Sequence, residues 1–300
     1  MLTARQISDN IAFPFTHYLF DPSRGLVCCA IPKNGCTAIK SWFLRLVEPD
    51  LLENHGIEVH AHCRGHHTLC SRPPDVIAEA LATGFTFAFI RDPLARVASA
   101  YVEKFIHPGP LRIFDPAREV IDELSRSMPV DLARGITFRE FVEFLCSTPD
   151  EHLESHWRPQ SSFICGNRFD LLARVEELTE TLVSLNRALD IPGEARLSGH
   201  RNAVGYTTPT GVLRADIPSG PLYEAGLLPP AEDLYDPALR ERILQRFRAD
   251  ADLYRAARPD APGLMSRELF GKLNVPGPAT TPHLLRSRSQ VQPASLTMIP

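Results

Sequence analysis

An apolar run, a short turn and an amphipathic run follow one another near the N-terminus, and this order constrains the fold more than any other stretch. Leu26–Ile31 is apolar, Ile31–Thr37 contains a lysine and a glycine, and Ile39–Val47 has apolar residues at helical spacing. A buried strand that turns into a helix collects unpaired N–H groups where the helix dipole favours an anion. Lys33 adds a full positive charge there. The sequence therefore predicts a phosphate site in this turn.

A second strand, turn and helix of the same kind follows further along the chain. Phe85–Ile90 is an apolar run that predicts a buried strand, and Arg91 comes directly after it. Asp92 has the position of an N-cap and Pro93 that of the first helical residue. Leu94–Phe105 then carries an apolar stripe at helical spacing, which leaves Arg96 and Glu103 on a polar stripe. Two anion sites at strand ends favour a ligand phosphorylated at two separate places.

The alternation of strands and helices predicts an α/β fold, a P-loop-like three-layer arrangement in which helices flank a central, mainly parallel sheet. We expect a single domain over residues 1–270, with an insertion at 107–135 that contains a short helix. The composition beyond 271 turns to Pro, Ser, Thr and Arg, which predicts a disordered tail over 271–300. The other predicted elements are a hairpin over 17–31, an irregular His-rich segment at 55–70, a strand at 169–175, and helices at 75–82, 138–145, 176–189 and 237–254.

Composition and charge narrow the class of protein. The 300 residues are 44% hydrophobic and 23% charged, as in ordinary globular proteins. A net charge of −4 argues against a general nucleic-acid or polyanion surface. No run of 18 apolar residues occurs and the N-terminus lacks the apolar region of a signal peptide, so we expect a cytoplasmic protein without a transmembrane segment. We expect its seven cysteines to be mostly reduced.

The two turns together resemble the nucleotide-binding loops of a known enzyme family. The first is not a Walker A loop, because Lys33 precedes Gly35 instead of following a glycine at the helix start. A lysine, a small loop and then Thr37 resemble the 5′-phosphosulfate loop of sulfotransferases that use 3′-phosphoadenosine 5′-phosphosulfate (PAPS). The stretch Arg91–Tyr101 is similar to the 3′-phosphate loop of those enzymes.

The closer resemblance is to the carbohydrate (Golgi-type, sulfotransferase family 2) branch. Its members carry Pro-Lys-x-x-Cys-Thr and Arg-x-Pro-x-x-Arg-x-x-Ser-Ala-Tyr, and both patterns occur here in that order. The blocks His156–Gln160 and Phe169–Leu178 also resemble later blocks of the branch, so the likeness covers residues 17–255. The absence of an apolar anchor suggests a soluble, bacterial-like member.

The resemblance implies roles for individual residues. Lys33 would hold the 5′ phosphate and the bridging oxygen, where negative charge accumulates during sulfuryl transfer, and is therefore also a catalytic candidate. The resemblance implies that the whole turn after Ile31 binds the cofactor. It also implies that Arg91 and Ser99 bind the 3′ phosphate. In that turn the implied PAPS-binding residues are Lys33, Asn34, Gly35, Cys36, Thr37 and Ala38. PAPS is then the co-substrate, and 3′-phosphoadenosine 5′-phosphate (PAP) its product. Ala38 stands where small-molecule sulfotransferases have an adenine-stacking tryptophan, so the adenine platform is not predicted.

A general base must accept the proton of the acceptor hydroxyl. Uronyl 2-O-sulfotransferases have a similarly placed His-x-His that contains their base, so the resemblance indicates His62 first and His60 second. A histidine suits this role because its pKa lies near working pH. Glu103 and His156 are the reserve candidates. The alternative is that the histidines of the 55–70 segment are ordinary loop residues without a catalytic role.

The same segment offers soft ligands at short spacing, in the order Cys63, His66, His67 and Cys70. Structural zinc sites more often use two separated pairs of ligands, and this spacing does not match that pattern. We therefore predict no metal site from the sequence.

The leading hypothesis is an enzyme that moves a sulfuryl group from PAPS to a hydroxyl of a carbohydrate or a glycosylated small molecule. The alternatives are a P-loop-type kinase or other nucleotide-phosphate enzyme, and a non-catalytic protein that binds PAP or PAPS. A kinase is disfavoured because Gly-Lys-Ser/Thr is missing. Residues 107–135 and 200–230, which include Tyr206 and Tyr223, are expected to shape the acceptor pocket. The acceptor itself and the oligomeric state are not predicted.

Overall fold

The computed structural model describes residues 13–54, 58–109, 115–126, 131–191 and 205–257. Its centre is a four-stranded sheet in the order β1-β2-β3-β4, in which β1 and β2 are antiparallel and β2, β3 and β4 are parallel. The strands are β1 (Tyr18–Asp21), β2 (Leu26–Cys29), β3 (Phe85–Ile90) and β4 (Leu171–Arg174). The predicted mainly parallel α/β sheet is confirmed.

Helices connect the strands and follow them. They are α1 (Cys36–Val47), α2 (Pro49–Asn54), α3 (Val59–His66), α4 (Pro74–Thr83), α5 (Pro93–Tyr101), α6 (Asp115–Ser125), α7 (Phe138–Ser147), α8 (Gln160–Ile164), α9 (Leu178–Ala188), α10 (Ser219–Glu224), α11 (Pro237–Arg246) and α12 (Arg248–Ala256). A π-helical turn, Val102–Ile106, continues α5. The expected short helix in the 107–135 segment is α6.

Side chains alternate between the two faces of the sheet, which creates the three layers. On one face, Phe85, Phe87 and Phe89 pack with residues of α1 and α9. On the other face, Ala88 and Ile90 pack with residues of α4 and α8. A period of two places successive side chains on opposite faces, so an entirely buried strand such as β3 needs helices on both sides. A third apolar cluster joins α5, α6, α7 and α11 beside the sheet.

Two predicted elements differ from the structure. The segment 55–70 was expected to be irregular, but it contains α3, which begins after Glu58. The carboxylate of Glu58 accepts hydrogen bonds from the N–H groups of His60 and Ala61, at 3.0 and 2.5 Å, and so caps the helix. The single helix expected over 237–254 is two helices, because Phe247 leaves the helical conformation and is buried in the third cluster. The tail 271–300 lies outside the described residues, and the single domain over 1–270 stays a prediction.

Within the described part of the chain, no helix has both the length and the apolar character needed to cross a bilayer.

Candidate active site at the ends of the parallel strands

The loop between β2 and α1 has an unusual backbone. Both Lys33 (φ 69°) and Gly35 (φ 74°) are left-handed, and Gly35 is the N-cap of α1. Alternation of this kind turns successive N–H groups toward one point, and the first N–H groups of a helix have no acceptor within the helix. A left-handed residue other than glycine costs about 1–3 kcal/mol, and such strain concentrates at functional sites. The loop has the geometry of an anion cradle.

Gly35 cannot carry a side chain without strain. A Cβ atom built there would lie 2.8 Å from the Leu178 side chain, in addition to the positive φ. We expect Gly35→Ala to lower the free energy of unfolding by about 1–3 kcal/mol. Urea unfolding followed by circular dichroism measures this. The matched control is Gly65→Ala, because nothing lies within 4 Å of a Cβ at Gly65; equal stability of the two variants would contradict the prediction.

The Lys33 side chain is 6% exposed, and its ammonium pairs with Glu103 on the π-helical turn. Lys104 contacts the same carboxylate at 2.9 Å. Burial alone would raise the pKa of Glu103, but the charges of Lys33 and Lys104 outweigh it and lower that pKa to about 2. Burial lowers the pKa of the Lys33 ammonium despite the opposing effect of Glu103. One carboxylate therefore compensates Lys33 incompletely, and a phosphate would be a second anionic partner.

The two predicted anion loops lie against each other. The Arg91 guanidinium donates to the main-chain oxygen of Lys33 at 2.9 Å. The Gln160 amide joins the loops a second time: its oxygen accepts from the Arg91 N–H at 2.9 Å and from the Asn34 amide at 2.6 Å. Asn34 also donates to the main-chain oxygen of Phe89 at 2.7 Å. Hydrogen bonds thus fix the loops that follow β2 and β3 at one edge of the sheet.

Arg96 is 1% exposed, although the sequence placed it on a polar stripe with Glu103. Its guanidinium donates to the main-chain oxygens of Pro32 at 3.1 Å, Arg158 at 2.8 Å and Ser155 at 3.3 Å. A buried guanidinium needs several acceptors, and main-chain oxygens supply them here. Arg96 therefore connects the loop between β2 and α1 to the 155–158 segment.

The remaining predicted cofactor residues have different surroundings. The Asn34 side chain is fully buried against β3, so it positions the loop. Cys36 and Ala38 pack partly against the core cluster of α1 and α9. Ser99 is 6% exposed and precedes Glu103 by four residues, which places both on the same side of α5 and its extension.

His60 reaches the first loop from α3. Its Nε2 lies 3.0 Å from the Thr37 hydroxyl and its Nδ1 lies 3.2 Å from the Lys40 ammonium. Burial, followed by the charge of Lys40, lowers the pKa of His60 to about 4, so the imidazole is neutral at pH 7. Lys40 is 6% exposed. The sequence predicts neither its burial nor its contact with a histidine.

His62 lies at the other end of α1. Its Nε2 is 2.8 Å from a carboxylate oxygen of Glu48, the residue that follows the last turn of α1. Residues two apart on a helix do not face the same side, so His60 and His62 contact opposite ends of α1. The structure therefore brings His60, the second choice of the sequence analysis, to the phosphate loop and does not bring His62 there.

His156, a reserve candidate, pairs with Glu154 through its Nδ1 at 2.7 Å. Burial lowers the pKa of His156 against the opposing effect of Glu154, and the charges of Lys104 and Lys33 lower it further. The charge of Lys33 therefore acts on the His156 imidazole.

Three residues of this site were missed or misplaced by sequence reasoning: Lys40, Arg96 and Gln160. Gln160 ends the block 156–160, and that block was the available signal. Arg96 is the second arginine of the Arg-x-Pro-x-x-Arg pattern, which marks the residue but not its burial. The burial of Lys40 had no signal, because a charged residue on a helix is usually solvated.

A buried lysine and an arginine thus lie on adjoining strand-end loops of an α/β fold. The sequence model described as "Sulfotransferase family" matches residues 16–255, and the chain belongs to that family. No solved structure gives a significant match.

Several curated proteins are similar to part of the chain. Carbohydrate sulfotransferase 14 of Danio rerio is 28% identical over 170 residues, which are 54% of this chain and 45% of that protein. Its Mus musculus counterpart is 27% identical over 168 residues, 54% of this chain and 43% of that protein. Carbohydrate sulfotransferase 9 of Homo sapiens is 25% identical over 190 residues, 59% of this chain and 42% of that protein. The chain thus aligns with less than half the length of these relatives.

Proposed function

We propose that this protein transfers a sulfuryl group from PAPS to a hydroxyl of a carbohydrate or a glycosylated molecule. The observation that carries the proposal is the hydrogen bond between the Arg91 guanidinium and the main chain of Lys33. A ligand with anionic groups at 5′ and 3′ needs two cradles close enough for one nucleotide to span, and this contact supports such a placement of the two loops. Membership of the sulfotransferase family supports the same reading.

The donor end is built around Lys33. Its ammonium, which pairs with Glu103, would hold the 5′ phosphate and the bridging oxygen of PAPS. Negative charge grows on that oxygen as the bond to sulfur breaks, so a buried cation stabilises the transition state more than the ground state. The N–H groups at the start of α1 and the Thr37 hydroxyl complete this cradle. Arg91 and Ser99 hold the 3′ phosphate.

His60 is the general base in this proposal. It contacts Thr37 in the phosphosulfate loop, whereas His62 contacts Glu48. Burial first, and then the charge of Lys40, lower the pKa of His60, and an anionic donor near Lys40 would offset the second of these effects. The donor would thereby make the imidazole a better proton acceptor.

The acceptor side of the proposal lies among residues 107–109, 115–126, 131–135 and 205–230. They meet where the Tyr223 ring lies against Gly109, so closely that a Cβ at Gly109 would be 2.8 Å from it. The ring is partly exposed, and an exposed aromatic face with a polar tip is a suitable platform for a sugar. The names of the similar carbohydrate sulfotransferases support this acceptor class.

Calorimetric titration with PAP tests the proposed donor. We expect binding that is at least about tenfold tighter than that of AMP, because AMP lacks the 3′ phosphate that Arg91 holds, and a charge-assisted hydrogen bond is worth about 1.5–3 kcal/mol. Equal affinity for the two nucleotides would contradict the donor assignment. Activity that requires Mg²⁺ and ATP would indicate a kinase, and tight PAP binding without transfer from PAPS to any glycan would indicate a non-catalytic binding protein.

A further inference from the structure

A second group of chemically reactive side chains lies at the far end of α1, away from the phosphosulfate loop. Glu48 follows the last turn of α1, His62 belongs to α3, and His67 is the residue after α3. His62 Nε2 is 2.8 Å from one Glu48 oxygen, and His67 Nε2 is 3.2 Å from the other. One ligand atom from each residue can be chosen so that all three lie within 4.8 Å of one another.

This separation matches what a small divalent cation requires. Zinc binds imidazole nitrogen and carboxylate oxygen at about 2.0–2.2 Å, so neighbouring ligand atoms of a tetrahedral site are about 3.3 Å apart. The two nitrogen–oxygen distances, 2.8 Å and 3.2 Å, lie below that value and involve different oxygens of Glu48, so a small shift of these side chains would admit an ion. Two histidines and one carboxylate form a borderline donor set that suits zinc better than Ca²⁺ or Mg²⁺, which prefer oxygen.

The residues are placed for accessibility as well as for proximity. The side chains of His62 and His67 are 20% and 14% exposed, and that of Glu48 is 36% exposed. The three groups are therefore partly shielded from solvent, and the Glu48 carboxylate is the most exposed of them. The His67 Nε2 atom itself is buried, and it pairs with Glu48 at 3.2 Å. Glu48 thus joins both imidazoles in one cluster.

We propose that Glu48, His62 and His67 form a site for a divalent transition-metal ion of the zinc class, with water in the remaining position. The donor set differs from the one that the sequence suggested, since Cys63, His66 and Cys70 supply none of its three ligands. Glu48 lies 14 residues before His62, so the local spacing of ligands in the sequence does not indicate this site.

Such a site would brace the helix that presents His60. The ion would tie α3 to the C-terminal end of α1, while His60 on the opposite side of α3 contacts Thr37 at the N-terminal end of α1. Together with the buried Cys63, these two contacts would hold α3 at both ends of α1. The proposed role is structural, and it does not depend on which group the enzyme transfers.

The test is zinc binding by the full chain after removal of metal with a chelator. Calorimetry and metal analysis after dialysis are expected to show one tightly held zinc per chain, and zinc is expected to raise the melting temperature. Glu48→Gln is expected to weaken zinc binding at least about tenfold, since even outer partners of metal ligands are worth tenfold or more. The double variant His62→Asn/His67→Asn is expected to weaken it about a hundredfold. His152→Asn, an exposed histidine elsewhere, is the matched control.

Cobalt substitution distinguishes this site from a cysteine site elsewhere in the chain. Cobalt bound to nitrogen and oxygen gives visible bands without the near-ultraviolet charge-transfer band of a thiolate ligand. A strong thiolate band in the wild-type protein, or unchanged zinc affinity in the folded double variant, would overturn the proposal. Failure of zinc to bind to the wild-type chain would overturn it as well, with Glu48 then serving only as a hydrogen-bond partner of His62. PAP binding is measured in parallel, so that loss of the donor site is recorded separately.

Discussion

Lys33→Ala is expected to lower kcat/KM with PAPS by at least about a hundredfold, the usual cost of removing one group that stabilises transition-state charge. Lys33 is 8% exposed and lies on the loop that leads into α1. Its charge acts on an oxygen that becomes more negative during the reaction, so kcat falls and not only the affinity. Steady-state kinetics with varied PAPS, together with calorimetric titration of PAP, measure the two effects separately.

The matched control for this variant is Glu103→Gln. It removes the same ion pair as Lys33→Ala but keeps the ammonium, so it is expected to retain PAP binding. If the pair serves only to stabilise the fold, the two variants will lose PAP affinity to the same extent, and the assignment of Lys33 to the donor is then withdrawn. Circular dichroism melting of both variants shows whether the domain is still folded.

His60→Ala is expected to lower kcat by about 10²–10⁴-fold, the range of general acid–base catalysis. The expectation rests on the position of the imidazole, 3.0 Å from the Thr37 hydroxyl and 3.2 Å from the Lys40 ammonium. Affinity for PAP should change much less than kcat. Addition of free imidazole to His60→Ala should restore part of the activity, which a purely structural histidine would not allow.

The comparison that decides between the two histidines is His60→Asn against His62→Asn. We expect the larger loss of kcat in His60→Asn, because His62 contacts Glu48 at the other end of α1. His66→Asn changes an exposed residue on the same helix whose ring centroid lies 4.6 Å from that of His62, so it shows what a change beside His62 does. A larger loss in His62→Asn would restore the order that the sequence suggested.

The sequence by itself determined the elements whose signals are local. β3 has the bounds predicted from its apolar run, and the Asp92 carboxylate caps α5 by accepting from the Ala95 N–H at 2.9 Å. The order of the two anion loops also followed from residues close together in the chain, as did the family resemblance. Propensity, capping and periodicity act within a few residues, so one sequence is enough to recognise them.

Only the tertiary structure decided which of these residues act together. The contact of Lys33 with Glu103 spans 70 positions, and that of Asn34 with Gln160 spans 126. The rotation of α3, which turns His60 to the phosphosulfate loop and His62 to Glu48, depends on how α3 packs on α1. Such contacts form between residues far apart in sequence, after the chain has closed long loops and buried both partners. No local pattern records them, and the physical chemistry of the site is therefore a property of the packed fold.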